Sequence, residues 1–370
     1  MDMNSRMKRR ALAATVAVAS VGLATGGATL GYATTNDPSP GQSSAGNSPS
    51  TKATRTVNVS SVAELVAALA AAKAGDVITM AAGTYDSAFF ATADGTSAEP
   101  ITLTGPKGAV LTNTKKGCDP NVPSGRSVTF CSLGFHLNGA SFWKLTGFTV
   151  KGGNKGIVLD QSSHNVIDGV TVTDTRDEGV HFRMSSSDNV LQNSTVTNTG
   201  QGQPGFGEGV YLGSSRGEFA KFGSEPGSPD RSDRSDRNKV LNNKIGPGVA
   251  AELVDIKEGT VDGVVSGNIF DGTGVSGVNS ADSWVDAKGN DYTIKDNRGT
   301  GPAGDLDGFQ THQLIPDFGC GNVFTGNTAK LNSPGFAINV TNQSRCGSNL
   351  NVVGDGNTVT GAGASLTNIE

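Results

Sequence analysis

Phe135-His136-Leu137-Asn138, Ile157-Val158-Leu159-Asp160, Val180-His181-Phe182-Arg183 and Val210-Tyr211-Leu212-Gly213 repeat one apolar–polar beat, bordered by glycine. The beat returns at Val254-Asp255-Ile256-Lys257, Val285-Asp286-Ala287-Lys288, Phe309-Gln310-Thr311-His312 and Ile338-Asn339-Val340-Thr341. Successive starts are separated by 22, 23, 30, 44, 31, 24 and 29 residues. A second series interleaves with it, anchored at Leu145, Ile167, Leu191, Leu241, Val265, Ile294, Phe324 and Val353. Period-two alternation marks half-buried strands. Two strand families per coil, with no helical pattern between them, predict an all-β right-handed parallel β-helix, a solenoid. A β-propeller would need a longer repeat with a tryptophan signature, and the chain has two tryptophans.

Composition agrees with narrow coils. Of 370 residues 52 are glycine, about twice average usage, while aromatic residues are 6% and charged residues 17%. Gly and Asn tolerate left-handed dihedrals and so suit the corners. Fourteen prolines and no three-residue period exclude collagen. A net charge of -5 and a pI near 5.5 make nucleic acid an unsuitable partner.

The ends of the chain read differently from its middle. Arg6, Lys8, Arg9 and Arg10 precede an Ala/Val/Gly/Leu run, and residues 1–35 are expected to be a signal peptide. Residues 36–53 read as a disordered Pro/Ser/Gly/Asn linker, and residues 54–370 as the β-helix domain. A secreted, extracellular protein follows, with no membrane span and expected to be a monomer. Four cysteines fit that compartment, and the shortest loops pair Cys118 with Cys131 and Cys320 with Cys346. Ser61-Val62-Ala63-Glu64 is a capping box. It predicts a short N-terminal capping helix built on Val62, Leu65, Val66 and Leu69 and stopped at Gly75.

Stacked coils align equivalent outward residues into rows. Three of the four histidines (His136, His181 and His312) fall on one such stripe, with Arg183, Tyr211, Asp255, Lys257, Asp286, Lys288 and Gln310. This stripe predicts a groove for a linear polymer. The insertion 214–238, with its alternating run Arg231–Arg237, is too polar to pack internally and is expected as a loop walling the groove. Repetition of Val-Asp-x-Lys stacks Asp255 on Asp286 and Lys257 beside Lys288. Two stacked carboxylates suit Ca²⁺, and two adjacent lysines lower each other's pKa. The alternative is a plain ladder of Asp–Lys ion pairs.

Glu252-Leu253-Val254-Asp255-Ile256-Lys257, with the opening Gly75-Asp76-Val77-Ile78 and Gly83-Thr84-Tyr85 segments, resembles the secreted, pectin-lyase-like β-helix enzymes of polysaccharide lyase family six. That family holds alginate lyases and the dermatan-cleaving chondroitinase. The resemblance implies a calcium-ligand Glu252 beside Asp255 and Asp286, and Lys257 as the base. Ala250 stands where that family has a second glutamate. The implied reaction is β-elimination on a linear acidic, uronate-containing polysaccharide. Lys257, its pKa lowered by Lys288 and the metal, takes the C5 proton, and Tyr211 or His312 protonates the leaving oxygen. His181, Arg183, Gln310 and Trp284 would contact the substrate. The rival functions are a glycoside hydrolase using Asp255 with Asp286 or Glu252, and a non-catalytic glycan-binding surface protein.

Overall fold

In the computed structural model, which describes residues 54–301, 307–332, 334–361 and 364–369, the apolar anchors of the repeated beat lie directly above one another. Phe135 pairs with Ile157, Ile157 with Val180, Val180 with Val210, and Val210 with Val254. Val285, Phe309 and Ile338 continue the column. All are buried, and their polar neighbours point away from the coil interior. The result is a right-handed parallel β-helix. The expected signal peptide and linker lie outside the described residues.

Each coil has three strands rather than two. The described residues form parallel sheets of 11, 10 and 10 strands, with a two-stranded antiparallel piece joining Cys118–Asp119 to Phe130–Cys131. The unforeseen sheet stacks Val150, Val172, Val196, Ile245 and Phe270. Strands such as Thr171–Thr173 and Thr195–Thr197 are three residues long with one buried residue, too short for a period to show. One anchor of the second series also shifts. Leu191 pairs with Val240, not with Leu241, which a one-residue slip turns to the outer face.

The N-terminal helix is Val62–Ala70, with the Ser61/Glu64 capping box formed. Leu65, Ala68 and Leu69 are buried, whereas Val66 is 41% exposed. The helix stops at Ala71 rather than at Gly75, which sits at φ +85 in the turn before Val77–Met80. Asparagines inside the corners form ladders. Asn268 Nδ2 donates to Asn297 Oδ1 at 2.9 Å, and Asn297 Nδ2 to Asn327 Oδ1 at 3.0 Å. Glycine is required at 179, where a Cβ would lie 2.5 Å from Val196 Cγ1 and 2.7 Å from Gly209 O. Both expected disulfides, Cys118–Cys131 and Cys320–Cys346, are present.

The insertion 214–238 packs more closely than its charge suggests. Asp233, Ser235 and Asn238 are fully buried. Asp233 accepts hydrogen bonds from the Met184 and Ser185 amides and from the Ser214 and Ser235 hydroxyls. The run Arg231–Arg237 therefore packs internally after all and anchors the insertion to the neighbouring coils.

Candidate active site

Outward residues of the sheet carrying the repeated beat form three parallel rows. The first outward position in each coil gives His136, Val158, His181, Tyr211, Asp255, Asp286 and Gln310. Two residues on, the row runs Asn138, Asp160, Arg183, Gly213, Lys257, Lys288 and His312. A third row lies two residues before the anchor and contributes Glu178, Glu208 and Glu252. Glu178 and Glu208 went unrecognised because the beat was followed only forward from its anchor. The repeated Glu-Gly-Val at 178–180 and 208–210 carried the signal.

The N-terminal part of the stripe is roofed, so it is not an open groove. His136 is held between Asp119 Oδ2 at 2.8 Å and Asp160 Oδ2 at 2.9 Å. Arg183 grips Asp160 through Nε at 2.6 Å and Nη2 at 3.0 Å, and stacks under Phe222 of the insertion at 4.3 Å. Arg126 ties that insertion to the Cys118–Cys131 loop through Lys221 O and Gly223 O. Arg183 and His181 are 5% and 4% exposed, so neither is a subsite for a carboxylate. His181 instead lies beneath Tyr211, their rings 4.5 Å apart edge to face. Burial pushes its pKa down, and its Nε2 is 2.8 Å from Gly213 O.

Two further expected contacts are also internal. Trp284 is fully buried among core residues against Phe309. Its position precedes the anchor Val285 by one, and in that coil it faces inward. Gln310 is buried and donates to Asp307 Oδ2 at 2.8 Å.

What remains open is a chain of alternating charge. The Lys257 ammonium lies 2.5 Å from Asp255 Oδ2, and Lys288 Nζ is 2.7 Å from both Asp255 Oδ1 and Asp286 Oδ2. His312 Nδ1 closes the chain at 2.8 Å from Asp286 Oδ1. Tyr211 flanks its other end, Lys257 Nζ lying 4.8 Å from the centre of the ring. Tyr211, Lys257 and His312 retain solvent exposure, while Asp255, Asp286 and Lys288 do not.

This geometry corrects the expected lysine chemistry. Burial pushes the Lys257 and Lys288 pKa values down, but the carboxylates between them win, and both end above the ordinary lysine value. Neither is a free amine near neutral pH. Burial, with Asp255 nearby, pushes the Tyr211 phenol well above its usual value, so it stays protonated. Burial and Asp255 likewise push the Glu252 carboxyl up to about 8, and burial with Glu178 pushes Glu208 up strongly. For His312, Asp286 outweighs burial and raises the pKa.

Of the expected calcium ligands, Glu252 and Asp255 converge and Asp286 does not. Asp286 turns away, bonded to Lys288 and His312. The carboxylates that do converge are Glu208, Glu252 and Asp255, with ligand oxygens within 4.8 Å of one another. Both Asp255 oxygens accept from ammonium groups. Ca²⁺ takes six to eight oxygens, and of this group Glu208 and Glu252 are the carboxylates with no ammonium in contact among the described residues.

Comparison with known proteins gives the fold and a close relative. The family described as "Right handed beta helix region" matches residues 124–224. No curated protein sequence matches. An alginate lyase from Paenibacillus sp. str. FPU-7 is similar at 36% identity and a TM-score of 0.70, over 84% of this chain and 99% of that one. A pectate lyase shares the fold at 16% identity and a TM-score of 0.53, over 81% of this chain and 72% of that one. So does a Streptococcus pneumoniae surface protein and adhesin, at 14% identity and a TM-score of 0.51, over 80% and 81% of the two chains.

Proposed function

We propose, for a chain that belongs to the right-handed β-helix family of the Paenibacillus alginate lyase, that it cleaves a uronate polysaccharide, alginate, by β-elimination. The observation that carries this is the Tyr211–Lys257 pair at the open part of the stripe. It sets a protonated phenol beside an ammonium that Asp255 keeps charged. A uronate C5 proton is only weakly acidic while the adjacent carboxylate is anionic. The Lys257 ammonium neutralises that carboxylate and stabilises the enolate-like charge that develops. Tyr211 then protonates the glycosidic oxygen as its bond to C4 breaks and the C4–C5 double bond forms.

C5 and the glycosidic oxygen belong to one sugar unit, so the group that takes the C5 proton must also stand at Tyr211. As the phenol gives its proton to the leaving oxygen, the same oxygen of Tyr211 takes the C5 proton, and the phenol is regenerated. His312, three coils further along the stripe and bonded through Nδ1 to Asp286, is out of reach of that bond. Hydrolysis with Asp255 and Asp286 fits less well, because both carboxylates are engaged by Lys288 and neither is free to act as acid or nucleophile. No helix among the described residues is long and apolar enough to cross a membrane. The polysaccharide substrate, the two disulfides and the basic–apolar N-terminus together support export to the extracellular space. The direct test incubates purified protein with alginate, pectate, glucuronan and glycosaminoglycans, reading the ultraviolet absorbance of an unsaturated product. Absorbance rising with alginate is expected. Chain shortening without it would assign a hydrolase instead.

A further inference from the structure

The roof over His136 and Arg183 leaves the polymer one side on which to extend, past His312 toward the C-terminal coils. There Gln313, the next residue, begins a short loop that encloses a pocket of about 350 Å³ with Arg345 opposite. We propose that this pocket is a subsite for one uronate unit of the substrate, with Arg345 binding its carboxylate. The inference rests on the lyase reading for its substrate class.

The pocket is held in shape from several sides. Gln313 Nε2 donates to Gly319 O at 3.0 Å, and Asn290 Nδ2 to Asp317 O at 2.6 Å. The Cys320–Cys346 disulfide joins the end of the loop to the residue after Arg345, so it fixes the two walls relative to each other. A loop tethered in this way binds without a large ordering cost. Its lining matches a uronate. Leu314, 50% exposed, with Ile315 and Phe318 offers apolar surface for the C–H face of a sugar ring. Arg345 is exposed and forms no ion pair among the described residues. Its Nη1 donates to Gln313 O at 3.2 Å, which aims the guanidinium and leaves its other N–H groups available. Asp317, at the lip, accepts from sugar hydroxyls. Planar recognition of a carboxylate is what arginine does better than lysine.

The experiment measures two things separately. The first is binding of alginate hexasaccharide and disaccharide to Tyr211→Phe, by calorimetry, with Arg345 intact and as Arg345→Ala, Arg345→Glu and Arg345→Lys. The second is product formation by the variants that keep Tyr211. Loss of one charge-assisted contact predicts hexasaccharide binding about 5–20-fold weaker for Arg345→Ala, more for Arg345→Glu, and partial rescue by Arg345→Lys. Disaccharide binding, KM and the melting temperature report the rest: KM rises in parallel, kcat holds, and the melt is unchanged. Hexasaccharide affinity and KM unmoved by Arg345→Ala and Arg345→Glu overturn the subsite. Hexasaccharide binding to Tyr211→Phe that depends on Arg345, together with no unsaturated product from the protein that keeps Tyr211, sinks the lyase reading while leaving the subsite standing. Absence of hexasaccharide binding overturns the subsite whatever the activity.

Discussion

Lys257 Nζ stands 4.8 Å from the centre of the Tyr211 ring, on the neighbouring coil of the β-helix. Neither residue has a role in the core, and Tyr211 makes no side-chain hydrogen bond among the described residues. A phenol left unbonded beside a charged ammonium adds little to the fold and keeps its proton free for a substrate oxygen. Tyr211→Phe keeps the ring and its edge contact with His181 but removes the proton. Turnover is expected to fall by at least about 10²-fold, the usual worth of a positioned acid, with the melt unchanged. Activity within a few-fold of wild type would remove Tyr211 from the chemistry.

Lys257→Met should be costlier, because it takes one of two ammonium groups from a buried carboxylate. Lys288 still holds Asp255, so destabilisation is expected to be moderate, ~1–3 kcal/mol, below that of fully orphaning a buried charge. Turnover should disappear with it. Thermal melting and product absorbance on one preparation test both claims. A variant that melts normally and retains activity contradicts the charge assignment.

The fold was legible because the beat at 135, 157, 180, 210, 254, 285, 309 and 338 registers a physical repeat, and pairing follows it residue for residue. The stacking of Asp255 on Asp286 followed from the same register. The third sheet was not legible, since most of its strands are two or three residues long and leave no period to detect. Nor were the environments of His181 and Arg183. An outward position in a strand says nothing about whether a distant segment, here Phe222 or Phe130, lies over it. The same limit explains the lysines. Sequence showed two cations side by side, but their pKa depends on which carboxylate reaches between them.

The corner ladders should dominate the stability of the middle coils. Asn297 donates from Nδ2 to Val265 O at 2.9 Å and accepts from the Asn268 backbone amide at 3.0 Å. Asn297→Ala leaves those partners buried and unsatisfied, at ~2–4 kcal/mol. Denaturant unfolding should show the midpoint falling with little change in slope. A loss under ~0.5 kcal/mol would mean that water or a neighbour replaces the asparagine.

Removal of divalent cations should leave the proposed lyase activity unchanged. The lysines already contact both oxygens of Asp255 and bring positive charge to it. Exhaustive dialysis against a chelator is expected to change turnover and melting temperature by less than the scatter between preparations. Activity lost on chelation and restored by Ca²⁺, but not by Mg²⁺, would reinstate a cation in the cluster.

Glu252 gives the site an alkaline limit whose sign can be worked out. Its folded pKa is raised to about 8 from an ordinary 4.5, by burial first and Asp255 second. Lys288, Lys257 and Asp286 also face it, and Glu208 lies in the same cluster. The folded state therefore holds a proton that the unfolded chain gives up near 4.5. Stability from this group is complete below that value and is lost as pH rises through about 8, with a slope of up to ~1.4 kcal/mol per pH unit for one proton. Above about 8 the new carboxylate also competes with the substrate for Lys257, so turnover should decline there. Glu252→Gln keeps the shape and cannot ionise. Its melting temperature should fall less steeply between pH 5 and 8 than that of the wild type, and its activity should persist further into the alkaline range. Parallel wild-type and Glu252→Gln profiles, in both melt and turnover, would show that this carboxyl is not the group that titrates.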